Sequence, residues 1–257
     1  MNDFLKRFIS ALVLAISVLS GIIYLPVDIL KIAVSLVSVL AVYELTGLLE
    51  DKFKEIKNPI TFIVAFLSSL SILFVNIWLS IFIMTLYSFY IGHKFWNLSY
   101  TVNTLFILFY GVFFVSSLGV ILQIDKYMIF LIFAVVWVGD TAAYFVGKTL
   151  GKHKMAPKLS PKKTWEGAVG SFVGSVIAGY LFIYYFHYSY IYLVPVVLSA
   201  FLLQVGDLFE SFIKRQVNKK DASNLIPGHG GILDRIDSLI FASVVFVIWE
   251  DIISKLV

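Results

Sequence analysis

Long uncharged apolar runs constrain the fold of this chain more than any other feature of its sequence. Residues 59–92 contain no Asp, Glu, Lys or Arg, and comparable runs occupy most of the remaining chain. A transmembrane helix needs about 20 mostly apolar residues, whereas about a quarter of the residues of a soluble domain are charged. Here 14% of the 257 residues are charged and 60% are hydrophobic. The sequence therefore predicts an all-α polytopic integral membrane protein.

The apolar runs divide into nine predicted transmembrane helices. A single helix over residues 59–92 would be about 50 Å long, too long for one crossing, and Asn76 offers a turn within it. The predicted spans are residues 8–27, 29–49, 59–75, 77–92, 101–122, 127–147, 167–186, 190–209 and 236–253.

The distribution of basic residues tests this division. With the N-terminus in the cytoplasm and the C-terminus outside, nine spans place 17 of the 20 Lys and Arg residues on the cytoplasmic side. Treating residues 59–92 as one span leaves only 7 there. Because cytoplasmic loops carry an excess of Lys and Arg, nine spans are favoured. The protein is predicted to lie in the cell inner (plasma) membrane with its active site facing the cytoplasm.

Two long cytoplasmic loops, residues 148–166 and 210–235, are where chemistry is expected. We divide the chain into N-terminal transmembrane helices, residues 1–130, and a C-terminal catalytic region, residues 131–257, which contains both loops. The chain has no cysteine, which excludes disulfides and thiolate metal sites. The net charge of +4 comes from basic residues between apolar runs. It is therefore a feature of membrane topology and predicts no nucleic-acid partner.

Acidic residues inside apolar spans are costly and are functional candidates by default. Asp140 and Asp207 each lie toward the cytoplasmic end of a span, beside a glycine that allows close approach of another group. Glu44 also lies within a span, where function and a purely structural pairing are both open. The first two residues are the stronger candidates.

The loop at 210–235 has the densest polar sequence, which ends in IPGHGGILDRID. Its glycines predict a turn whose backbone N–H groups could converge on an anion. Asp234 and Asp237 are three residues apart at a predicted helix start, so both carboxylates share a face. Carboxylates together with phosphate oxygens suit Mg²⁺, although acids at a helix start could instead only cap the helix dipole.

The loop at 148–166 contains six lysines. Its last part overlaps the segment SPKKTWEG, residues 160–167, which contains two of them. A basic loop beside a membrane can simply attract anionic lipid. The combination of Ser160, Lys162, Lys163, Thr164 and Glu166 favours substrate binding instead.

The polar features of the chain together predict phosphoryl or nucleotidyl transfer: acids that can bind a cation, lysines and arginines that can bind phosphates, and a glycine-rich turn. No GxxxxGK[ST] motif is present, which disfavours a Walker-type ATPase.

The C-terminal half resembles the phosphatidate cytidylyltransferase (CDP-diacylglycerol synthase) family. GDTAAYFVGK (139–148) and SPKKTWEG resemble family motifs, and the stretch from residue 211 to 237 fits the family signature at twelve positions. These positions are Ser211, Lys214, Arg215, Lys220, Asp221, Pro227, His229, Gly230, Gly231, Asp234, Arg235 and Asp237.

The resemblance implies that CTP and phosphatidate, a membrane lipid, give CDP-diacylglycerol and pyrophosphate with a divalent metal, here expected to be Mg²⁺ with a second cation as an open alternative. It also implies homodimerisation. Site roles are expected in three sets. Asp207, Asp234, Asp237, Lys214, Arg215 and His229 are the predicted catalytic residues. The predicted substrate-binding residues are Ser160, Lys162, Lys163, Thr164, Glu166, Lys220, Asp221, Gly230, Gly231 and Arg235. Metal ligation is predicted for Asp207, Asp234, Asp237 and Asp140.

Two other functions share some of these features. A CTP-dependent lipid kinase would use similar metal, nucleotide and membrane geometry but attack the γ-phosphorus of CTP. A cation-coupled transporter would place paired polar sites near the bilayer midplane, whereas the acids here lie near one face.

The protonation state of phosphatidate bears on the role of His229. Because phosphatidate is largely dianionic at neutral pH, with a second pKa of about 6, it can attack without a general base. His229 is therefore expected to donate a hydrogen bond to phosphate.

Overall fold

The computed structural model of the protein describes residues 3–226 and 230–256, with the side chains of 12–226 and 230–255. His229, a predicted catalytic residue, lies outside the described residues. The helices are α1 (Asp3–Tyr24), α2 (Val27–Leu48), α3 (Glu50–Phe53), α4 (Pro59–Phe74), α5 (Ile77–Lys94), α6 (Leu98–Leu108), α7 (Val115–Ile124), α8 (Met128–Thr149), α9 (Trp165–Tyr185), α10 (Leu193–Gln216) and α11 (Leu233–Leu256).

Asparagine side chains begin three of the helices in the first half. The Asn58 side chain accepts a hydrogen bond from the backbone N–H of Thr61 and thereby caps α4, which has Pro59 at its first position. Asn76 caps α5 through the N–H of Leu79, and Asn97 caps α6. The prediction that residues 59–92 turn at Asn76 is confirmed, because α4 ends at Phe74 and α5 begins at Ile77.

Five helical stretches of the described chain are long and apolar enough to cross a membrane: α2, Leu98–Ile124, α8, α9 and Tyr190–Gln216. A sixth is reached if the short helical turns at Glu50–Ile56 and α4, bent by 74° at their junction, count as one span. A π-helical turn, Phe109–Phe114, joins α6 to α7 within Leu98–Ile124. The chain is thus a predominantly α-helical, multi-pass membrane protein.

One small sheet departs from the all-α expectation. β1 (Lys154–Ala156) and β2 (Ser160–Thr164) pair as an antiparallel hairpin inside the loop that the sequence predicts at 148–166. We call residues 153–164 the basic hairpin. It leads directly into α9, whose first residue is Trp165.

Contacts divide the chain into two compact units. The first unit contains Met1–Lys126 and Val217–Asp234, and the second contains Tyr127–Gln216 and Arg235–Val257. Residues 217–234, which we call the signature loop, therefore pack with the N-terminal helices. The functional division at residue 130 stays a prediction.

Buried serines connect the helices of the first unit. Ser69 of α4 hydrogen-bonds to Ser35 of α2 at 3.1 Å and to Ser116 of α7 at 2.8 Å. All three side chains are fully buried. Hydrogen bonds of this kind hold helices together in lipid, where no hydrophobic driving force acts between them.

Candidate active site

A cavity of about 490 Å³, lined by charged, polar and small apolar residues, lies in the second unit, among α8, α9, α10 and the basic hairpin. This volume is within the usual range for small-molecule sites. Six sequence-predicted site residues line it: Asp140, Ser160, Lys162, Lys163, Thr164 and Asp207. The structure therefore brings the two predicted span acids into one cavity with the lysines of the basic hairpin.

Three further polar residues of the cavity were missed by the sequence-based site prediction. Tyr144 and Lys148 follow Asp140 at intervals of four residues on α8, so all three share one helix face. Gln204 lies three residues before Asp207 on α10, and its Nε2 atom donates to Ser171 Oγ at 3.1 Å. The signal was available, because a glutamine within an apolar span at helical spacing from an acid is itself unusual.

Both glycines beside the span acids allow close approach, as predicted. A Cβ atom on Gly139 would lie 2.2 Å from Ser175 Oγ of α9, and one on Gly206 would lie 3.0 Å from the carbonyl oxygen of Asp237. Gly170 and Gly174 of α9 meet Val146 and Ala142 of α8 in the same way. The helices that carry Asp140 and Asp207 are therefore fixed by backbone-close packing.

Asp207 is the most highly connected acid of the cavity. Its Oδ2 atom pairs with Lys163 Nζ at 2.7 Å, and its Oδ1 atom accepts from Ser211 Oγ at 3.4 Å. The Asp207 side chain is 40% exposed. The ion pair holds a lysine of the basic hairpin against α10.

The basic hairpin is held at both ends by residues predicted for substrate binding or catalysis. At its base, Glu166 accepts from the backbone N–H of His153 and pairs with His153 Nδ1 at 2.6 Å. Near the turn, Arg215 Nε donates to the carbonyl of Leu159 at 3.2 Å. Thr164 caps α9 by accepting from the N–H of Gly167. Glu166 and Arg215 thus support the hairpin and are not among the residues that line the cavity.

A buried group of charged side chains lies on α10 and α11 of the second unit. Lys214 Nζ pairs with Glu210 Oε1 at 3.2 Å, and the Glu210 side chain is almost fully buried. Asp237 hydrogen-bonds to Glu210 and accepts from the N–H of Ser238 at 2.7 Å. Lys214 and Asp237 are therefore brought together, whereas Arg235 is exposed at the start of α11.

In the first unit, the signature loop directs its backbone donors toward carboxylates of the chain itself. Asp234 Oδ2 accepts from the N–H groups of Ala222 and Gly231 at 2.9 and 2.8 Å. Glu44 of α2 accepts from the N–H groups of Ile232 and Leu233, both at 2.8 Å. These loop N–H groups converge on carboxylates of the chain itself, and binding of a substrate anion by the loop stays a prediction.

The remaining predicted residues of the signature loop have distinct settings. Gly230 has φ = +85°, a left-handed conformation that favours glycine, and a Cβ atom there would lie 2.9 Å from Asp234 Oδ2. Gly231 is buried against Glu44, whereas Lys220 and Asp221 are exposed. Loop geometry therefore explains both glycines without a ligand, and their substrate contacts stay predictions.

The donor set in the cavity suits a magnesium ion only in part. Within residues 12–226 and 230–255, no group of three or more His, Asp and Glu side chains is disposed to hold a metal. Mg²⁺ usually binds through one or two carboxylates, waters and substrate phosphates. Asp140 and Asp207 provide two carboxylates in one cavity, and Oδ2 of Asp207 is already paired with Lys163.

Comparisons with known proteins show what this chain is similar to. A model of the cytidylyltransferase family matches residues 5–252. A phosphatidate cytidylyltransferase of Haemophilus influenzae is 30% identical over 277 aligned positions, covering 91% of this chain and 94% of that protein. That of Pseudomonas aeruginosa is 54% identical over 46% of this chain and 45% of its own length. With the Brucella suis protein the identity is 40%, and the match spans 58% of this chain and 57% of that relative.

Proposed function

The chain belongs to the cytidylyltransferase family, and from that premise we propose that it is a phosphatidate cytidylyltransferase that converts CTP and phosphatidate into CDP-diacylglycerol and pyrophosphate. A lipid phosphate oxygen forms a bond to the α-phosphorus of CTP. The bond from that phosphorus to the oxygen bridging the α- and β-phosphates breaks, and pyrophosphate leaves. The product serves phospholipid biosynthesis.

The observation that carries this proposal is the cavity in which Asp140 and Asp207 lie with Ser160, Lys162 and Lys163. Positively charged side chains neutralise phosphate oxygens, which is how most catalysis of phosphoryl transfer is achieved. Lys162 and Lys163 bind phosphates of CTP in this proposal, and Ser160 donates a hydrogen bond. Phosphatidate needs no general base, because it is already largely dianionic at neutral pH.

The predicted residues outside the cavity support the reaction in other ways. Arg215 and Glu166 hold the basic hairpin in place, and Thr164, which also lines the cavity, caps the start of α9. Lys214 and Arg235 supply positive charge, and Lys220, Asp221, Gly230, Gly231 and His229 of the signature loop remain assigned to substrate by the resemblance.

The proposed cofactor is Mg²⁺, held by Asp207 and Asp140 in the second unit and assigned also to Asp237 and Asp234. A bound divalent cation supplies charge neutralisation for the phosphates and polarises the reacting phosphorus. The two carboxylates line one cavity with Lys148, Lys162 and Lys163. A second cation remains part of the proposal at these acids.

The proposed topology has nine spans, with the N-terminus and the active site in the cytoplasm and the C-terminus outside. The distribution of 17 of 20 basic residues supports it. In this topology the cavity would lie at the cytoplasmic ends of its helices, where phosphatidate, whose acyl chains stay in the lipid, could present its headgroup to CTP. Bacterial relatives support placement in the inner membrane, and homodimerisation stays a prediction.

Pyrophosphate release by the purified protein tests the proposal. Protein in detergent micelles with CTP, Mg²⁺ and dioleoyl phosphatidate should release pyrophosphate and form CDP-diacylglycerol. Release of CDP instead would identify a lipid kinase that attacks the γ-phosphorus. The family match favours the first outcome, and absence of both products would overturn the proposal.

Two acid-to-amide variants test the assigned carboxylates. Asp207→Asn and Asp234→Asn should each lower turnover by at least about 100-fold, the size typical of losing a group that stabilises the transition state. Asp251→Asn is the matched control, because Asp251 pairs with Lys255 on the exposed end of α11. Undiminished turnover by folded Asp207→Asn protein would contradict its role.

A further inference from the structure

Glu44 is a buried carboxylate with three hydrogen-bond donors from a distant part of the sequence. Its Oε1 atom accepts from Ser223 Oγ at 2.6 Å and from the N–H of Ile232 at 2.8 Å. Its Oε2 atom accepts from the N–H of Leu233 at 2.8 Å. Only 1% of the Glu44 residue surface is exposed, so these donors replace water around the carboxylate.

The chemistry of these contacts suits an ionised carboxylate. A carboxylate is purely an acceptor, and all three partners donate to it. Two of the donors are backbone N–H groups at the start of α11, which have no partner within the helix itself and lie at its positive end. Removing the carboxylate would therefore leave buried backbone donors unpaired, which is costly in a membrane protein.

A second contact joins the signature loop to the same helix. Lys219 Nζ donates to the carbonyl oxygen of Gly47 at 2.8 Å, near the C-terminal end of α2. The carbonyl groups in the last turn of a helix lack intrahelical partners and attract cations. α2 thus contacts the signature loop at two places. The first is the Glu44 side chain, and the second, about one turn later, is the carbonyl oxygen of Gly47, which accepts from Lys219.

We infer that Glu44 is a positioning residue, which fixes the signature loop and the start of α11 so that Lys220, Asp221 and Asp234 are presented for the reaction. This inference rests on the proposed function for the use of those residues. The inference also assigns a function to the N-terminal helices, since α2 anchors the signature loop.

The position of Gly231 opposite the Glu44 carboxylate has room only for a glycine. A Cβ atom on Gly231 would lie 2.6 Å from Glu44 Oε1 and 2.8 Å from Oε2. The loop backbone therefore approaches the carboxylate more closely than any residue with a side chain allows. The three donors and this contact hold the Glu44 side chain from several directions.

Hydrogen–deuterium exchange of the full-length protein in detergent, without substrate, tests the inference independently of catalysis. The Glu44→Gln substitution replaces one carboxylate oxygen with an NH₂ group, which cannot accept a hydrogen bond from the loop. We expect peptides covering residues 217–234 to exchange about 10- to 100-fold faster, with unchanged exchange in α8 and α9 and little change in Tm. The matched control is Glu55→Gln, since Glu55 accepts from Tyr100 in the same unit, and it should exchange as the wild type does.

Kinetics then separate positioning from a purely structural role. Because substrate selects the ordered loop, Glu44→Gln should raise KM for CTP about 10-fold while kcat changes less. Wild-type exchange in residues 217–234 of Glu44→Gln would overturn the inference. A lower KM would also overturn it, because Glu44 would then be competing with substrate for the loop donors. Inactive wild-type protein would instead overturn only the proposed function.

Ser223→Ala keeps the inference testable if Glu44→Gln does not fold. This variant removes one donor from the carboxylate and leaves α2 unchanged. Exchange in residues 217–234 should again accelerate, by a smaller factor of about 3- to 10-fold. Faster exchange spread evenly over all helices of the first unit would indicate general destabilisation and would contradict a local anchor.

Discussion

Individual acids in the apolar spans have different tasks, and their neighbours decide which. Asp140 and Asp207 face a cavity with lysines, as their place beside glycines near one end of a span suggested. Glu44 looks equivalent in the sequence, yet it binds the backbone of a loop almost 190 residues later. Position within an apolar span beside a glycine predicted the first pair. It carries no information about a tertiary partner so distant, which is why the role of Glu44 remained open.

Gly139→Ala tests the close packing that sets Asp140. The new Cβ atom would lie 2.2 Å from Ser175 Oγ, so overpacking should destabilise the protein by about 1–3 kcal/mol and lower Tm in a circular-dichroism melt. Gly21→Ala is the control, because its Cβ atom would meet Leu25 at an ordinary 3.7 Å. The double variant Gly139→Ala/Ser175→Ala should lose less stability than the sum of the single variants. Strict additivity would contradict the clash.

Gly231→Ala tests the loop anchor from the opposite side of the Glu44 contact. Its Cβ atom would displace the carboxylate from its three donors, so exchange in residues 217–234 should rise as it does in Glu44→Gln, by about 10-fold or more. Gly21→Ala is the matched glycine control, because its Cβ atom would meet Leu25 Cδ1 at an ordinary 3.7 Å and Gly21 takes no part in the anchor. Equal exchange in the two alanine variants would be incompatible with a tight Gly231–Glu44 contact.

At the scale of elements, the helices were predictable and the basic hairpin was not. Apolar runs mark helices because only internally hydrogen-bonded segments are stable in lipid, and Asn58, Asn76 and Asn97 cap helix starts where those runs resume. The strand Ser160–Thr164 contains a proline and two lysines and lacks the alternating pattern of a strand. Glu166 and Arg215 contact both ends of the hairpin, and no local sequence pattern predicts these contacts.

Glu166→Ala tests whether those contacts hold the hairpin. The substitution removes the acceptor for both the backbone N–H and the ring of His153, so the base of the hairpin should open more often. Limited trypsin digestion should then cleave at the hairpin lysines about 10-fold faster, and KM for CTP should rise while Tm stays close to wild type. Glu50→Ala, which removes an ion pair with Lys57 in the first unit, should leave both measurements unchanged. Wild-type cleavage rates in Glu166→Ala would show that other contacts hold the hairpin.

For the whole molecule, the charge distribution carries information that helix length does not. Helix length and apolarity alone identify five or six spans in the described chain. α4 has only 16 residues and is counted only together with the turns before it, and α11, which carries acids at both ends, is not counted. The placement of basic residues responds instead to the sidedness of every crossing. The distribution of basic residues therefore favours nine spans, because it distinguishes two crossings from one crossing in residues 59–92.

The absence of cysteine from the sequence allows that topology to be tested directly. Single cysteines can be introduced at two exposed positions, Lys158→Cys in the basic hairpin and Tyr190→Cys between α9 and α10. With nine spans, a membrane-impermeant maleimide added to spheroplasts should label Tyr190→Cys and leave Lys158→Cys unlabelled until the membrane is opened. The cysteine-free parent is the background control. If residues 59–92 cross only once, every later segment changes sides and the labelling pattern reverses, which would place the cavity lysines outside, away from cytoplasmic CTP.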